Sequence, residues 1–361
     1  MITRKLDLDI APYIPVGISK EKIVFFDIET TGFAADVSTM YLLGAVLYED
    51  DKWVLYQWFA DDRRSEEKII NSFFDRLSAD TTLVSFNGVA FDVNFIDKRC
   101  NKYGIPSPLS GLSHLDLYKL VRPYKDLFKL ENLKQKTIEV FMGINRDDKY
   151  SGGDLIKVYG SYLMAKVAGK PECSSMYDLL ILHNEDDLKG LVKLSKLLEL
   201  LENISEPFVV GGAKLDYDNN VLLVTFPICI NMDKRFKAEK DGISLVVSGN
   251  KCKLTVPLYH DELKFFYPNY KDYYYVPSED IAIHKSVSFY VDKEYRTKAK
   301  AANCYSKHTG SFVPEFDEII SPYFKIDYHD TVLYVETTSE FLYNTEQISA
   351  YTRHIIDHLL H

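Results

Sequence analysis

An α/β domain with a mixed sheet and flanking helices over residues 22–204, followed by a β-rich domain over residues 205–361 that ends in a helix, is the fold class the sequence predicts. Three observations predict it. The apolar strand Lys22-Ile23-Val24-Phe25-Phe26-Asp27-Ile28-Glu29 precedes two more strand candidates joined by the polar turn Glu49-Asp50-Asp51-Lys52, which makes an antiparallel hairpin. Strand and helix periods then alternate, as a strand-helix-strand unit requires. After residue 203 the helical period disappears and short strand candidates follow one another closely.

Taken in order, residues 1–21 hold Pro12 and Pro15 and no clear period, so they are expected to be a lead-in segment. The first strand stops at the turn Thr30-Thr31-Gly32. The hairpin strands are expected over 39–48 and 53–59. A helix over 65–77 puts Ile69, Ile70, Phe73, Phe74 and Leu77 at helical spacing. A short strand over 82–86 ends in the turn signal Asn87-Gly88, and a helix over 89–103 carries Asp92 in its first turn. A strand over 111–116 leads into a short helix over 117–121. Three further helices are expected over 130–141, 154–168 and 177–202, with Ser151-Gly152-Gly153 breaking the chain ahead of the second. In the second domain, strands are expected over 208–210, 221–226, 243–247, 253–257, 263–267, 286–291 and 331–335. Turns such as Asp218-Asn219-Asn220 and Ser248-Gly249-Asn250 separate them, and an amphipathic helix over 339–360 closes the chain.

Composition narrows the classes. At 361 residues the chain is long for one domain, and 46% hydrophobic residues suffice for a sizeable core. A net charge of -10 excludes a globally basic nucleic-acid coat and leaves room for a locally basic groove. Cys100, Cys173, Cys229, Cys252 and Cys304 form no C-x-x-C pair, which argues against both a zinc finger and a disulfide framework. No apolar signal-peptide core stands at the N-terminus and no run approaches the ~20 residues of a membrane span, so the expected location is cytoplasmic, with no membrane partner.

Candidate chemistry begins with Asp27 and Glu29. Side chains two apart on a strand share a face, so two carboxylates crowd together at the end of a buried strand. They repel and lose solvation, and a divalent cation with oxygen ligands relieves both penalties. Asp92 is delivered beside a strand end by the Asn87-Gly88 turn, where it is either a site acid or an ordinary helix-start residue. His183 and Asp187, four apart in a helix, share a face next to the apolar stripe of Ile181, Leu182, Leu188, Leu191 and Leu194. Asp186 is the nearby rival to Asp187. Asp116 is expected to cap the short helix after it rather than join the site.

An acidic pair in D-I-E-T-T-G, an N-G-x-x-F-D turn-helix and an H-N-x-x-D helix, in that order, resemble the DEDD exonucleases of the ribonuclease H-like superfamily, and the YprB-like group in particular. The resemblance covers about residues 22–200. It implies a ribonuclease H-like fold, with Asp27, Glu29, Asp92 and Asp187 as the four metal-binding acids and His183 beside the attacking water. It implies two Mg²⁺ or Mn²⁺ ions, a nucleic-acid substrate of either sugar type, and 3′→5′ exonuclease activity by a two-metal mechanism. Thr30, Asn87 and Gly88 are the accompanying candidates for substrate contact. Two such ions about 4 Å apart bind attacking water and leaving oxygen together, and oxygen-only ligands favour Mg²⁺ or Mn²⁺ over zinc. His183 stands four residues before the last acid, where better-known members carry Tyr at that spacing or His one residue earlier. An endonuclease or structure-specific nuclease on the same site, and a non-catalytic nucleic-acid-binding protein, are the alternatives.

The second domain offers a tyrosine-rich run, Tyr267-Pro268-Asn269-Tyr270-Lys271-Asp272-Tyr273-Tyr274-Tyr275, and the charged stretch from Asp292 to Lys300 followed by Lys307-His308. Aromatics beside basic residues stack bases and follow a phosphate backbone in some folds. The competing expectation is a tyrosine strand within a sheet plus a solvated loop. On either reading residues 205–361 are an accessory domain, a candidate for substrate or partner binding.

Overall fold

The sheet of the first unit is ordered by how much apolar surface each strand must hide. In the computed structural model, which describes residues 1–126, 128–144, 150, 152–205, 209–210 and 212–360, the chain divides into two compact units, Met1–Glu202 and Asn203–His361. The expected breaker at Ser151 and the start of the expected strand at Phe208 lie outside the described residues. Six strands form the first sheet: β1 (Ile2–Leu8), β2 (Ile23–Thr30), β3 (Met40–Glu49), β4 (Lys52–Phe59), β5 (Thr82–Ser85) and β6 (Ser113–Asp116), in the spatial order β1-β4-β3-β2-β5-β6. β2, apolar on both faces, lies in the interior, antiparallel to β3 and parallel to β5. β5 and β6 are also parallel, so the sheet is mixed, with the β3–β4 hairpin on one side.

Residues 1–21, expected to be a lead-in, contain β1, which pairs antiparallel along β4 from Ile2↔Phe59 to Leu8↔Trp53. Its alternation of charged and apolar residues is that of an edge strand with one wet face. A seven-residue polar-apolar alternation is a weak period by itself, and it becomes a strand because β4 offers an open edge.

Helices flank the sheet: α1 (Glu66–Phe74), α2 (Asp92–Tyr103), α3 (Leu117–Val121), α4 (Gln135–Met142), α5 (Gly152–Val167), α6 (Cys173–Leu194) and α7 (Lys196–Ser205). The single helix expected over 177–202 is two, divided at Ser195. The Ser195 hydroxyl donates back to Val192 O (2.7 Å) and accepts the Tyr13 amide (2.7 Å), which stops the helical ladder there. The core joins Phe26, Leu42, Leu43, Trp58, Phe59 and Phe73 with Ile96, Leu155 and Tyr159. Inside it, Glu66 accepts the Met40 amide (2.8 Å), the Arg99 guanidinium (Nε 2.8 Å) and the Tyr103 hydroxyl (2.7 Å), while Arg99 also donates to Ala35 O (2.8 Å). A buried pair so fully hydrogen-bonded fixes the loop between β2 and β3 against α1 and α2.

The second unit is β-rich: β7 (Gly212–Asp216), β8 (Val221–Lys240), β9 (Ile243–Pro257), β10 (Tyr259–Phe266), β11 (Tyr273–Val276), β12 (Ile281–His284), β13 (Thr297–Lys298), β14 (Tyr305–Glu315), β15 (Tyr323–Phe324) and β16 (Leu333–Glu336), closed by α8 (Ser339–Tyr343) and α9 (Thr345–Leu360). Three sheets result, ordered β7-β8-β9, β10-β14-β16-β15 and β12-β11-β13. Three expectations are corrected. The helix expected over 339–360 is two, α8 and α9, divided at Asn344, whose side-chain oxygen accepts the amides of Glu346 and Gln347 (3.1 Å each) and so starts a new helix. The strands expected over 243–247 and 253–257 are one strand, β9, running through Gly249. The hairpin turns instead at Asp241-Gly242, both at positive φ (52° and 78°), as a two-residue turn between twisted strands requires. Residues 286–291 are mostly a 3₁₀ turn, Lys285–Tyr290, rather than a strand. The His284 ring accepts the Ser286 amide (3.2 Å) and Ser288 Oγ donates to Lys285 O (2.8 Å), and these local bonds outcompete a ladder. The tyrosine run packs as a small core: Tyr267, Tyr270, Tyr273 and Tyr275 lie against Ala282, Ala299 and Cys304, and Tyr267 stacks on Tyr273 at 4.5 Å. Among the described residues no helix is long and apolar enough to cross a membrane.

Candidate metal and active site

β2 ends by presenting Asp27 and Glu29 on one face, and a register shift between Glu29 and Thr30 bends the strand out of the ladder there. Gly44 of β3 lies opposite Asp27. A Cβ at Gly44 would come within 2.2 Å of Asn184 Oδ1 and 2.3 Å of Leu188 Cδ1, so this glycine is what lets α6 lie against the sheet beside Asp27.

α6 brings His183, Asn184 and Asp187. Asn184 Nδ2 donates to Asp27 Oδ2 (3.0 Å), and its Oδ1 accepts from Gln57 Nε2 (3.0 Å). Gln57 also donates to Ile181 O (2.9 Å) and accepts from Arg4 (2.7 Å), whose guanidinium is paired with Glu185 (2.5 Å). A relay of side chains thus runs from β1 through β4 and α6 to the Asp27 carboxylate. His183 is buried, with Nε2 3.2 Å from Asp187 Oδ2 and 3.5 Å from Glu29 Oε1. Ligand atoms of Glu29, His183 and Asp187 all lie within 4.8 Å of one another.

Asp92 comes from the other side. It is buried, and its Oδ1 accepts the amide of Ile28, between Asp27 and Glu29. It is not the cap of α2; Phe91 occupies that position. The turn before it needs Asn87 at φ 63° and a glycine next, because a Cβ at Gly88 would meet Ser85 Oγ at 2.4 Å and Asp92 Oδ2 at 3.2 Å. Asp116 holds that turn by accepting the amides of Asn87 (2.8 Å) and Val89 (3.3 Å), and it caps α3 by accepting Tyr118 N (3.1 Å). Thr30 Oγ1 donates to Gly32 O (2.9 Å), closing the turn after β2.

The electrostatics follow from the crowding. Burial pushes the Asp27 carboxyl well above its ordinary range, and repulsion from Asp187, Asp92 and Glu29 pushes it further, against the Asn184 hydrogen bond. Burial raises Asp92 to about 7, helped by Asp116 and opposed by the Ile28 amide. Burial, with the charges of Glu29 and Asp27, also raises the Tyr41 hydroxyl. Crowded carboxylates with one imidazole among them form a donor set of the kind that holds a metal ion.

All five residues singled out by sequence, Asp27, Glu29, Asp92, His183 and Asp187, are therefore brought to one end of β2, while Asp116 stands behind the turn. Asp187, rather than Asp186, is the acid whose charge reaches Asp27. The supporting relay of Asn184, Gln57 and Arg4 was missed by sequence reasoning. Only Asn184 left a trace, inside the H-N-x-x-D motif; Gln57 and Arg4 lie in strands with no local sign of their partners.

Residues 24–199 match the family model RNase_H_2, described as RNase_H superfamily. Over 182 residues, 49% of this chain, the sequence is 28% identical to the uncharacterized protein YprB of Bacillus subtilis (strain 168), of which the match spans 42%. Over 125 residues it is 27% identical to the DNA polymerase III PolC-type of Ureaplasma parvum serovar 3, covering 28% of this chain and 9% of that protein. The chain thus spans less than half the length of these curated relatives. Among solved structures, the family B DNA polymerase of Pyrobaculum calidifontis aligns over 50% of this chain and 25% of its own, at 16% identity and a TM-score of 0.36. The zinc-bound complex of Escherichia coli ExoI with ssDNA aligns over 64% and 55%, at 12% identity and a TM-score of 0.31.

Proposed function

We propose, from the match of residues 24–199 to the RNase_H superfamily model, that the protein is a divalent-metal-dependent nuclease that hydrolyses phosphodiester bonds, acting as a 3′→5′ exonuclease. The observation that carries the reading is the gathering of four carboxylates from β2, α2 and α6, with a buried histidine against two of them, Glu29 and Asp187. Two of those carboxyls are held far from their ordinary ionisation by burial and mutual repulsion. Charge crowding of this kind destabilises the fold unless a cation is there to use it.

In this reading Asp27, Glu29, Asp92 and Asp187 hold a pair of Mg²⁺ or Mn²⁺ ions. Bound there, the ions supply Lewis acidity toward the phosphate and acidify an attacking water. His183 takes the proton from that water as its oxygen bonds to phosphorus and the P–O3′ bond breaks, with the departing O3′ gaining a proton from solvent. Asp187 and Glu29 both face Nε2 of the His183 ring, at 3.2 and 3.5 Å, and orient it. Asn184, held by Gln57, fixes the rotamer of Asp27, and Thr30, Asn87 and Gly88 line the approach of the strand end. The exonucleolytic mode and its direction rest on the likeness of D-I-E-T-T-G and H-N-x-x-D to the DEDD exonucleases.

End-labelled single-stranded DNA and RNA, incubated with Mn²⁺ or with EDTA, test this. Products that shorten from the 3′ end with Mn²⁺ and not with EDTA are expected. Cleavage of a circular strand would overturn the exonuclease mode, and no cleavage of either polymer would overturn the nuclease.

A further inference from the structure

The β7-β8-β9 sheet of the second unit carries a face whose charge runs against the rest of the chain. On β9 the burial alternates, so Lys251, Lys253 and Thr255 face outward while Cys252 and Leu254 are buried. Lys253 pairs with Thr225 and Lys251 with Pro227 on β8, and Leu223 of β8 pairs with Lys214 of β7. Lys214, Lys251 and Lys253 therefore project from one side of the sheet. Residues two apart on a strand are spaced by about 6.8 Å.

Two cavities on that side share Thr225 and Lys253 and so form one groove. The first, about 710 Å³, is lined by Arg235, Lys251 and Lys253; the second, about 450 Å³, by Lys214 and Lys253. Among the described residues no acid lines either cavity, and none of these four cations has an ion-pair partner. In a chain with 53 acidic and 43 basic residues, four adjacent cations with no ion pair among the described residues, and with Asp216 on β7 as the acid whose charge Lys214 feels, are a segregated patch. Thr225 and Ser248 add hydroxyls to the lining.

We propose that this groove binds the phosphate backbone of a nucleic-acid strand, through Lys214, Arg235, Lys251 and Lys253. Like-charged side chains at regular spacing in an open groove suit a regularly charged polyanion. The 292–300 stretch is a poorer candidate. Asp292 and Glu294 alternate with its cations, and the Arg296 guanidinium is used internally, over the Tyr274 ring at 4.8 Å and on Ser288 O. Naming nucleic acid among polyanions rests on the nuclease reading.

The test uses the full chain in EDTA, with a short fluorescein-labelled single strand of DNA or RNA read by anisotropy over a range of salt. Lys214→Gln/Lys251→Gln/Lys253→Gln is expected to bind about tenfold to a hundredfold more weakly, with a salt slope flatter by roughly 2, or about 0.7 per lost phosphate contact. Lys293→Gln/Lys298→Gln/Lys300→Gln is expected to bind like the parent. Unchanged affinity and slope in the first variant, or the loss falling in the second, would overturn the proposal. Competition by poly-glutamate as effective as by the oligonucleotide would also overturn it. Hydrolysis of a small chromogenic nucleotide ester by the parent protein in Mn²⁺ reads the nuclease separately, so either idea can fail alone.

Discussion

The two units hold their like charges in opposite ways. At the end of β2 four acids are drawn together under burial, and the cost appears directly as raised ionisation at Asp27 and Asp92. On the β7-β8-β9 sheet Lys214, Lys251 and Lys253 stand in solvent, where screening makes their mutual repulsion small. The difference teaches what each region would receive on the readings proposed above: a compact cation would enter a crowded cluster whose geometry is set in advance, whereas a flexible polyanion would be met by an exposed row that needs no rigid frame.

The largest effect should come from removing one acid. Asp27→Asn is expected to abolish hydrolysis yet raise the melting temperature of the metal-free protein, since a buried, repelled charge is removed. Full activity, or a large loss of stability, would break the contrast with the exposed lysines. His183→Ala should lower turnover by about 10²–10⁴ while changing Mn²⁺ affinity much less. Equal activity in single-turnover kinetics would make His183 a packing residue.

Asn184→Ala removes the donor to Asp27 without touching an acid, and should weaken metal binding or activity by roughly 10–100-fold. Gly44→Ala forces the close approach of α6 apart and should cost about 1–3 kcal/mol in denaturant unfolding. A neutral result would mean that α6 shifts freely over Asp27. Smallest and most diagnostic is pH dependence. Asp92 has its carboxyl raised to about 7, so the stability of its protonated form is present below pH about 4 and lost as pH rises through about 7, and Asp27, also raised, acts in the same direction. Metal-free protein should thus melt lower at pH 8 than at pH 5, and Mn²⁺ should flatten that fall.

Much of the acidic site was legible because its rules are local. The period of two on β2 aligned Asp27 with Glu29, and the four-residue spacing in α6 aligned His183 with Asp187. The Asn87-Gly88 turn announced the delivery of Asp92. What stayed hidden depends on distant partners. Arg4 belongs to a strand that exists because β4 has a free edge, and Gln57 is a polar residue in an apolar strand until Asn184 arrives from 127 residues away. In the second unit, the paired length of β8 and β9 overrode the Ser248-Gly249-Asn250 turn signal, and the Asp241-Gly242 turn took its place. The outward row of Lys251 and Lys253 becomes visible only once that register is fixed.

The most direct test of the central claim, that acids from β2, α2 and α6 share a divalent cation, is the melting temperature in Mn²⁺ against EDTA. At a hundredfold excess over the dissociation constant, binding to the native state should add about 2.7 kcal/mol of stability. A marked rise that disappears in Asp187→Asn is the predicted result, and identical melting in Mn²⁺ and EDTA would contradict the account.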